Sequence, residues 1–282
     1  MICGIVLFNP DIGRLKKCIN AIFRQIDKIV LIDNHSDNIK DIELLIKKYK
    51  NIEIISNEQN MGIAFALNQI LKYSIENNYK WFLTLDQDSV VINDLIDEYQ
   101  KYIKLDNVAM ICSNYIDDNT NEEVLLKENT ENYTLVEKCI TSGTLNNTEA
   151  INRCGGFDDD MFIDCVDFDM CASLIENNYY IVKVNFIGFH HTVGKSQIKK
   201  IFNKKIILYN ESPLRLYYYV RNKLYFIKKH KKGINVLNNY FTLFKRLIII
   251  MIFEKNKCRK FEGILKGIVD YKKNKMGKKE II

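Results

Sequence analysis

The feature that most restricts the fold is an alternation. Through residue 113, apolar runs of strand length take turns with segments whose apolar residues recur at helical spacing. Ile2 to Phe8 is a continuous apolar run closed by Asn9-Pro10, and it reads as a buried strand. Asp11 to Gln25 sets Ile12, Leu15, Ile19, Ile22 and Phe23 on one helix face. Lys28–Ile32, Ile52–Ser56, Trp81–Leu85 and Val108–Ser113 read as further strands, with helices over Ile39–Tyr49, Gly62–Asn77 and Ile92–Ile103 between them. This order selects the α/β class, a mostly parallel central sheet flanked by helices. Ligands in such sheets bind beyond the carboxyl ends of the strands. Asp33 and Asp86 both stand at such ends.

After Asn114 the alternation weakens. Asp117–Asn132 is polar and reads as a loop or lid. Residues 134–190 mix short strands, a Gly155-Gly156 turn and a short helix after Asp167. From about Lys195 the pattern is helical, basic and aromatic. Charge divides along the same line. Residues 195–282 carry 24 of the 41 Lys and Arg but 5 of the 35 Asp and Glu. That is +19 in the tail and −13 in the body, which together make the net +6. An acidic body with a basic tail implies metal-assisted chemistry in one and an anionic contact for the other. The eight cysteines form no C-x-x-C pair, so a zinc knuckle is not expected, and reduced, buried thiols are. The apolar start lacks the basic n-region of a leader peptide. The longest uninterrupted apolar stretch late in the chain, Leu247–Phe253, is far short of the roughly 20 residues that span a bilayer. A cytoplasmic protein is the expectation.

Five constellations carry candidate chemistry. In Leu85-Asp86-Gln87-Asp88-Ser89, alternate residues at a strand end face one way, so Asp86 and Asp88 converge. Two converging carboxylates repel unless a cation lies between them or they hold different parts of one ligand. Mg²⁺ or Mn²⁺ binds through such carboxylates plus substrate phosphates. A solvated turn is the plain alternative. In Gly155-Gly156-Phe157-Asp158 and Phe162–Asp169, apolar residues between acids suggest a half-buried strand running into a helix. A desolvated carboxylate there has a raised pKa and can act as a general base; acidic residues also simply favour a helix N-terminus. Asn60-Met61-Gly62-Ile63-Ala64 opens a helix with small residues, which either lets backbone N–H groups approach a diphosphate or packs closely on the sheet. His190-His191 follows an apolar strand from Tyr180 and either completes a metal or diphosphate site or is structural. In Arg215–Asn222, arginine forks suit phosphate oxygens, and the same spacing suits an amphipathic helix seam.

Together these residues resemble the family 2 glycosyltransferases of the GT-A fold, in particular a bacterial rhamnosyltransferase-like branch. The resemblance covers nearly the whole chain: Phe8-Asn9-Pro10, Val30–Ser36, Asn60–Ala64, Leu85–Ser89, Gly155–Asp158, Phe162–Asp167, Tyr218–Asn222 and the Lys266–Asp270 and Met276–Lys278 stretches. It implies a nucleotide-diphospho-sugar transferase fold with a catalytic domain over residues 1–200. The donor half would span about 1–114 and the acceptor half about 134–200, and residues 201–282 would form a basic, aromatic helical C-terminal region. Asp33 would meet the donor base, with Asn9, Asn60 and Gly62 also at the nucleotide. Asp86 would lie near ribose and diphosphate, and Asp88 with His191 would hold Mg²⁺ or Mn²⁺. Asp167 would be the catalytic base of an inverting transfer. Asp158, Asp164, Asp169 and Arg221 would contact acceptor or diphosphate. The branch usually carries Glu, Trp and a later Arg after the base, where this chain has Asp169, Met170 and Ser173. The acidic pair thus lacks its expected partner.

The implied function is transfer of a sugar, L-rhamnose from dTDP-rhamnose in the first instance, onto a glycan or lipid-linked glycan in cell-surface polysaccharide synthesis such as O-antigen or capsule. Another UDP- or GDP-linked sugar, or a catalytically silent scaffold subunit, is the alternative. A sugar nucleotidyltransferase would want a Gly-rich basic loop where Asn9–Gly13 stands, and a dinucleotide oxidoreductase would want G-x-G-x-x-G, which is missing. In the tail, Phe241, Phe244, Ile248, Met251 and Ile252 share one helix face beside Lys245 and Arg246. Such a face suits an anionic membrane surface, which would make the protein peripheral at the inner face of the plasma membrane. Packing on the body or in a homodimer is the alternative, and nucleic acid is not an expected partner.

Overall fold

A computed structural model of the chain describes residues 1–119, 122–123, 132–192, 194, 196–201 and 204–279. The first half alternates as the sequence predicts: β1 (Ile2–Leu7), α1 (Ile12–Ile22), β2 (Lys28–Asp33), α2 (Ile39–Ile46), β3 (Ile52–Ser56), α3 (Ile63–Glu76) and β4 (Trp81–Asp86). A two-residue β5 (Val90–Val91), a short α4 (Leu95–Gln100) and a long β6 (Val108–Asp117) follow. The helix expected over Ile92–Ile103 is thus cut to six residues. Then come β7 (Glu122–Glu123), β8 (Tyr133–Leu135), β9 (Thr144–Asn147), α5 (Thr148–Arg153), α6 (Val166–Glu176) and β10 (Tyr180–His191). The expected lid over Asp117–Asn132 lies mostly outside the described residues.

Among the described residues ten strands form one sheet, in the order β3-β2-β1-β4-β9-β6-β10-β5 with β7 and β8 on the edges of β6 and β10. The pairs β1–β2, β1–β4, β2–β3 and β6–β10 are parallel, while β9 runs antiparallel between β4 and β6. The parallel strands end together, so Leu7, Asp33, Ser56 and Asp86 share one edge. β1 is buried along nearly all its length, as a strand covered by helices on both faces must be. One core forms against α1, α2 and α4 and another against α3, α5 and α6. Gly4 marks how closely α3 lies on β1, since a Cβ there would stand 2.4 Å from the Ile70 side chain. Asp11 caps α1 by accepting from the Arg14 amide at 2.7 Å, which stops the chain being extended at the end of β1.

Two local expectations fail. Phe162–Asp167 is no strand. Residues 162–165 form a loop in which Phe162, Asp164 and Cys165 all take positive φ, and α6 starts directly after it at Val166, with Asp167 in its first turn. Residues 197–208 are no helix but a hairpin, β11 (Gln197–Ile201) with β12 (Lys204–Leu208). The hairpin straddles the boundary placed at residue 200.

The C-terminal region supplies α7 (Pro213–Lys229), α8 (Val236–Phe253) and α9 (Lys257–Lys272). Ser212 caps α7, and Pro213 occupies its first turn, where a missing N–H costs nothing. α7 is buried along most of its length. It packs on α8 and α9 through Leu216, Val220, Leu243 and Ile264, and it inserts Phe226 and Ile227 into the core of the sheet. α8 has 18 residues and, by length and composition alone, could cross a membrane. The sequence reading stopped at Leu247–Phe253 because Thr242, Lys245 and Arg246 interrupt the apolar run. Its inward side is tied down, with Asn239 accepting from Lys223 at 2.7 Å and Arg246 pairing with Glu211 at 2.7 Å. Arg246 therefore faces the body, stacked 3.8 Å over Tyr219, and not the outer surface beside the phenylalanines. The outward side exposes Leu237, Phe241, Phe244, Ile248 and Ile252.

Candidate active site

A cavity of about 1420 Å³ opens at the carboxyl edge of the sheet. Val6, Phe8, Asn34, Asp86 and Asp88 line one side. Phe162 and Ile163 line a second, and Tyr209, Glu211, Arg215, Phe253 and Lys255 a third. The C-terminal region thus builds a wall of the site.

Asp86 ends β4, and Asp88 lies in the turn that follows. The end of β10 brings His191 beside them. Ligand atoms of Asp86, Asp88 and His191 all lie within 4.8 Å of one another, the only such cluster among the described residues. Two hard carboxylates and an imidazole, partly open to the cavity, are a donor set that fits Mg²⁺ or Mn²⁺. Burial raises the Asp86 pKa, partly offset by His191 and reinforced by the neighbouring Asp88 charge. The turn is held from outside: Arg14 Nε donates to the Asp88 carbonyl at 2.6 Å, and Gln87 Oε1 accepts from the Phe8 amide at 2.8 Å. Arg14 is a contributor that sequence reading missed, because nothing in the α1 pattern points across to β4.

The expected nucleotide residues gather at the same edge. Asp33 is buried, with its carboxylate accepting from the Ser36 amide. Asn9 takes positive φ, donates its amide to Ser36 Oγ at 2.8 Å and accepts from the Asp37 amide at 2.7 Å. Asn34, not singled out in advance, ties Asn57, Asn60, Met61 and Gly62 into one network. Gly62 has φ of 90°, and a Cβ there would meet the Phe162 carbonyl at 2.5 Å. The Gly62 amide donates to Asn60 Oδ1 and the Ile63 amide to the Phe162 carbonyl, so these two N–H groups are occupied within the protein. The start of α3 is a clasp onto the 162–165 loop as well as a wall of the cavity.

That loop presents Asp164, and the first turn of α6 directly after it presents Asp167. Neither lines the cavity directly, but their neighbours Phe162 and Ile163 do. Burial pushes the Asp167 carboxyl up to about 7, against a hydrogen bond from the Phe168 amide, and the negative charges of Asp164 and Asp86 push it further. Burial likewise raises Asp164 to about 6, opposed by Arg215, which donates to Oδ1 at 2.8 Å. Asp164 Oδ2 is buried with no hydrogen-bond partner among the described residues.

Three expected contact residues fall elsewhere. Arg221 is fully buried and stands outside the cavity lining. It donates to Asn222, Tyr217 and the carbonyls of Lys275 and Asp160, with Tyr217 and Tyr218 against its cationic face. A diphosphate contact is sterically closed to it. Asp158 accepts from Tyr225 at 3.1 Å and Lys229 at 2.6 Å, and Asp169 accepts from Lys229 and His230 at 2.8 Å each. Both serve to fasten α6 and its preceding turn onto α7. Of the acidic pair Asp167 and Asp169, with Ser173 in place of Arg, Asp169 is partnered by Lys229 and His230. The deepest clamp is Asn222, whose Nδ2 reaches the carbonyls of Met161, Ile163 at 2.7 Å and Asp164 at 3.1 Å.

A strand-edge cavity, a D-x-D turn with an imidazole, and a loop of desolvated carboxylates define a nucleotide-sugar transferase of the GT-A fold. The family description Glycosyl transferase family 2 matches residues 3–165, and the chain belongs to that family. It is rhamnosyltransferase-like within it. The chain is 27% identical over 273 residues to the dTDP-rhamnosyl transferase RfbF of Shigella flexneri, covering 90% of this chain and 88% of that one. A prophage-derived glycosyltransferase of Bacillus subtilis, SunS, is 22% identical over 121 residues, 42% of this chain and 28% of SunS. Among solved structures, S. aureus TarS 1–349 in complex with UDP-GlcNAc aligns at a TM-score of 0.63 and 13% identity, covering 96% of this chain and 80% of that one. GalNAc-T7 with UDP, GalNAc and Mn²⁺ aligns at 0.58 and 14% identity, covering 80% of this chain and 47% of GalNAc-T7. These structural likenesses speak to the fold.

Proposed function

We propose that this chain is an inverting glycosyltransferase that moves L-rhamnose from dTDP-rhamnose onto a glycan acceptor. The observation that carries the reading is the Asp86–Asp88–His191 cluster at the end of β4, with the raised carboxyl of Asp167, at the start of α6, near enough to feel the Asp86 charge. The relative from Shigella supports the choice of donor. Asp33, with Asn9, Asn60 and Gly62, binds the nucleotide. Asp86 lies by ribose and diphosphate. Asp88 and His191, with Asp86, would hold Mg²⁺ or Mn²⁺, which when bound supplies Lewis-acid stabilisation of the departing diphosphate. Asp167 takes the proton of an acceptor hydroxyl. The freed oxygen attacks the anomeric carbon from the face opposite the diphosphate, whose C–O bond breaks. A pKa of about 7 suits that task, since a base poised near working pH is both deprotonated and strong enough. The unpartnered Asp164 Oδ2 is the kind of buried acceptor that a second sugar hydroxyl satisfies.

A thermal-shift panel of nucleotide sugars with and without Mn²⁺ tests this. Bound donor raises the midpoint by mass action. The expected result is a metal-dependent rise with dTDP-rhamnose that Asp88→Ala abolishes. A rise with a UDP- or GDP-sugar instead would overturn the donor, and no rise with any would favour a scaffold.

The acceptor is a lipid-linked glycan at the inner face of the plasma membrane, in cell-surface polysaccharide synthesis. The outward apolar face of α8, with Lys245 and Lys257 exposed along or beyond it, supports this part. Sedimentation with vesicles containing anionic lipid is expected to pull down the wild type and not Phe241→Glu/Phe244→Glu. A concentration-dependent dimer broken by the same change would instead assign the face to a second copy.

A further inference from the structure

We propose that Ser89 and Ser142 are positioning residues that set the tautomer of His191 and so decide whether its Nε2 is free to bind a divalent cation. This rests on the reading of Asp86, Asp88 and His191 as a cation site. Ser89 Oγ lies 2.9 Å from His191 Nδ1 and 2.7 Å from Ser142 Oγ, while Asp88 Oδ1, at 3.6 Å from Nδ1, stands beyond hydrogen-bond reach. Ser142 Oγ in turn accepts the Asp86 amide at 3.0 Å. Both serines are buried, so bulk water does not compete for these groups. The turn after β4, the loop before β9 and the end of β10 meet here.

The protons can be counted. Each hydroxyl has one, and a neutral imidazole has one on either nitrogen. In the first arrangement Ser142 donates to Ser89, and Ser89 donates to Nδ1. The imidazole proton then sits on Nε2, facing Asp86 Oδ2 at 3.8 Å, and the Nε2 lone pair is unavailable. In the second, Ser89 donates to Ser142 and accepts from Nδ1–H, which leaves Nε2 bare. The first arrangement uses every proton and is the one favoured when no cation competes for Nε2. The second leaves the Ser142 proton without a partner in this chain of contacts, and a metal–nitrogen bond offsets that loss. Two hydroxyl rotations and one proton shift on the ring convert one into the other with no heavy atom displaced. Hydrogen bonds behind a ligating imidazole orient it and tune its basicity, and their loss typically weakens metal binding 10- to 100-fold.

The test is Mn²⁺ titration followed by the EPR signal of the free ion, without donor or acceptor. Ser89→Ala is expected to weaken Mn²⁺ binding about 10-fold, and Ser142→Ala to weaken it less. Neither change should matter in a His191→Ala background, where the serines have nothing to orient. Metal-free melting separates this from misfolding, and if Ser89→Ala does not fold, Ser142→Ala carries the same cycle. Unchanged Mn²⁺ affinity in the serine variants, or an equal loss with and without His191, overturns the proposal. Failure of the wild type to bind Mn²⁺ at all overturns the cation site itself, and the proposal with it.

Discussion

The Asp86–Asp88 turn and the 162–165 loop face one cavity and are held in opposite ways. The turn is the direct continuation of β4, a buried strand between β1 and β9, and the sheet aims it. The loop has no strand beneath it. Three residues that are not glycine take positive φ, a conformation costing on the order of 1 kcal/mol or more each. It persists because α7, some sixty residues later, grips it through Asn222 and Arg221, while α3 clasps it at Gly62. One half of the site is placed by secondary structure and the other by tertiary contacts.

The contrast can be broken most severely at the base. Asp167→Asn is expected to lower turnover by about 10²–10⁴, the range of a general base, while leaving donor affinity intact in a calorimetric titration. Wild-type turnover in that variant would remove Asp167 from the mechanism. Next in size, Asn222→Asp keeps the shape and loses the amide donors. It should destabilise the fold by about 1–3 kcal/mol and cut kcat more than it weakens donor binding, since the turn on β4 does not depend on it. Equal losses in both would mean that the two halves are not held separately.

pH sharpens the comparison further. The kcat/KM of the wild type should fall below about pH 7 as Asp167 takes up its proton. The last effect is on stability. The Asp167 carboxyl titrates near 7 when folded and near 3.8 when free, so the folded state holds a proton that the unfolded chain releases. That contribution is full below about pH 4 and is lost as pH rises through about 7. Asp167→Asn, which never ionises, should therefore gain melting temperature relative to wild type between pH 5 and 8. A constant difference across that range would mean that Asp167 is not desolvated.

The same contrast explains what the sequence made legible. Apolar runs, their Asn and Asp terminators and 3.6-residue spacing are local signals, and they locate β1 to β4 and the carboxylates at their ends within a residue or two. The hairpin at 197–208 was missed because its Lys-rich strands carry too little alternation to separate them from a basic helix. The 162–165 loop was misread as a strand because left-handed backbone is signalled by Gly, Asn or Asp, and Phe162 and Cys165, on either side of Asp164, carry no such signal. Arg221, Asp158 and Asp169 were read as ligand contacts because their spacing shows charge but not direction. Only the folded chain shows that Lys229, His230 and the Tyr217–Tyr218 pair already occupy them.

The grip of α7 on the base loop also bears on how such proteins can be recombined. Chains of this kind invite chimeras in which the C-terminal region of one relative is exchanged for that of another to alter the acceptor. A junction at residue 200 would separate Asn222, Lys229 and His230 from the loop and helix they hold, and would cut through the hairpin. Exchange after His230 leaves those contacts native and swaps α8 and α9, the outward apolar face with them. The segment that fastens the 162–165 loop and α6 through Asn222, Lys229 and His230 thus ends about thirty residues beyond where charge and composition change.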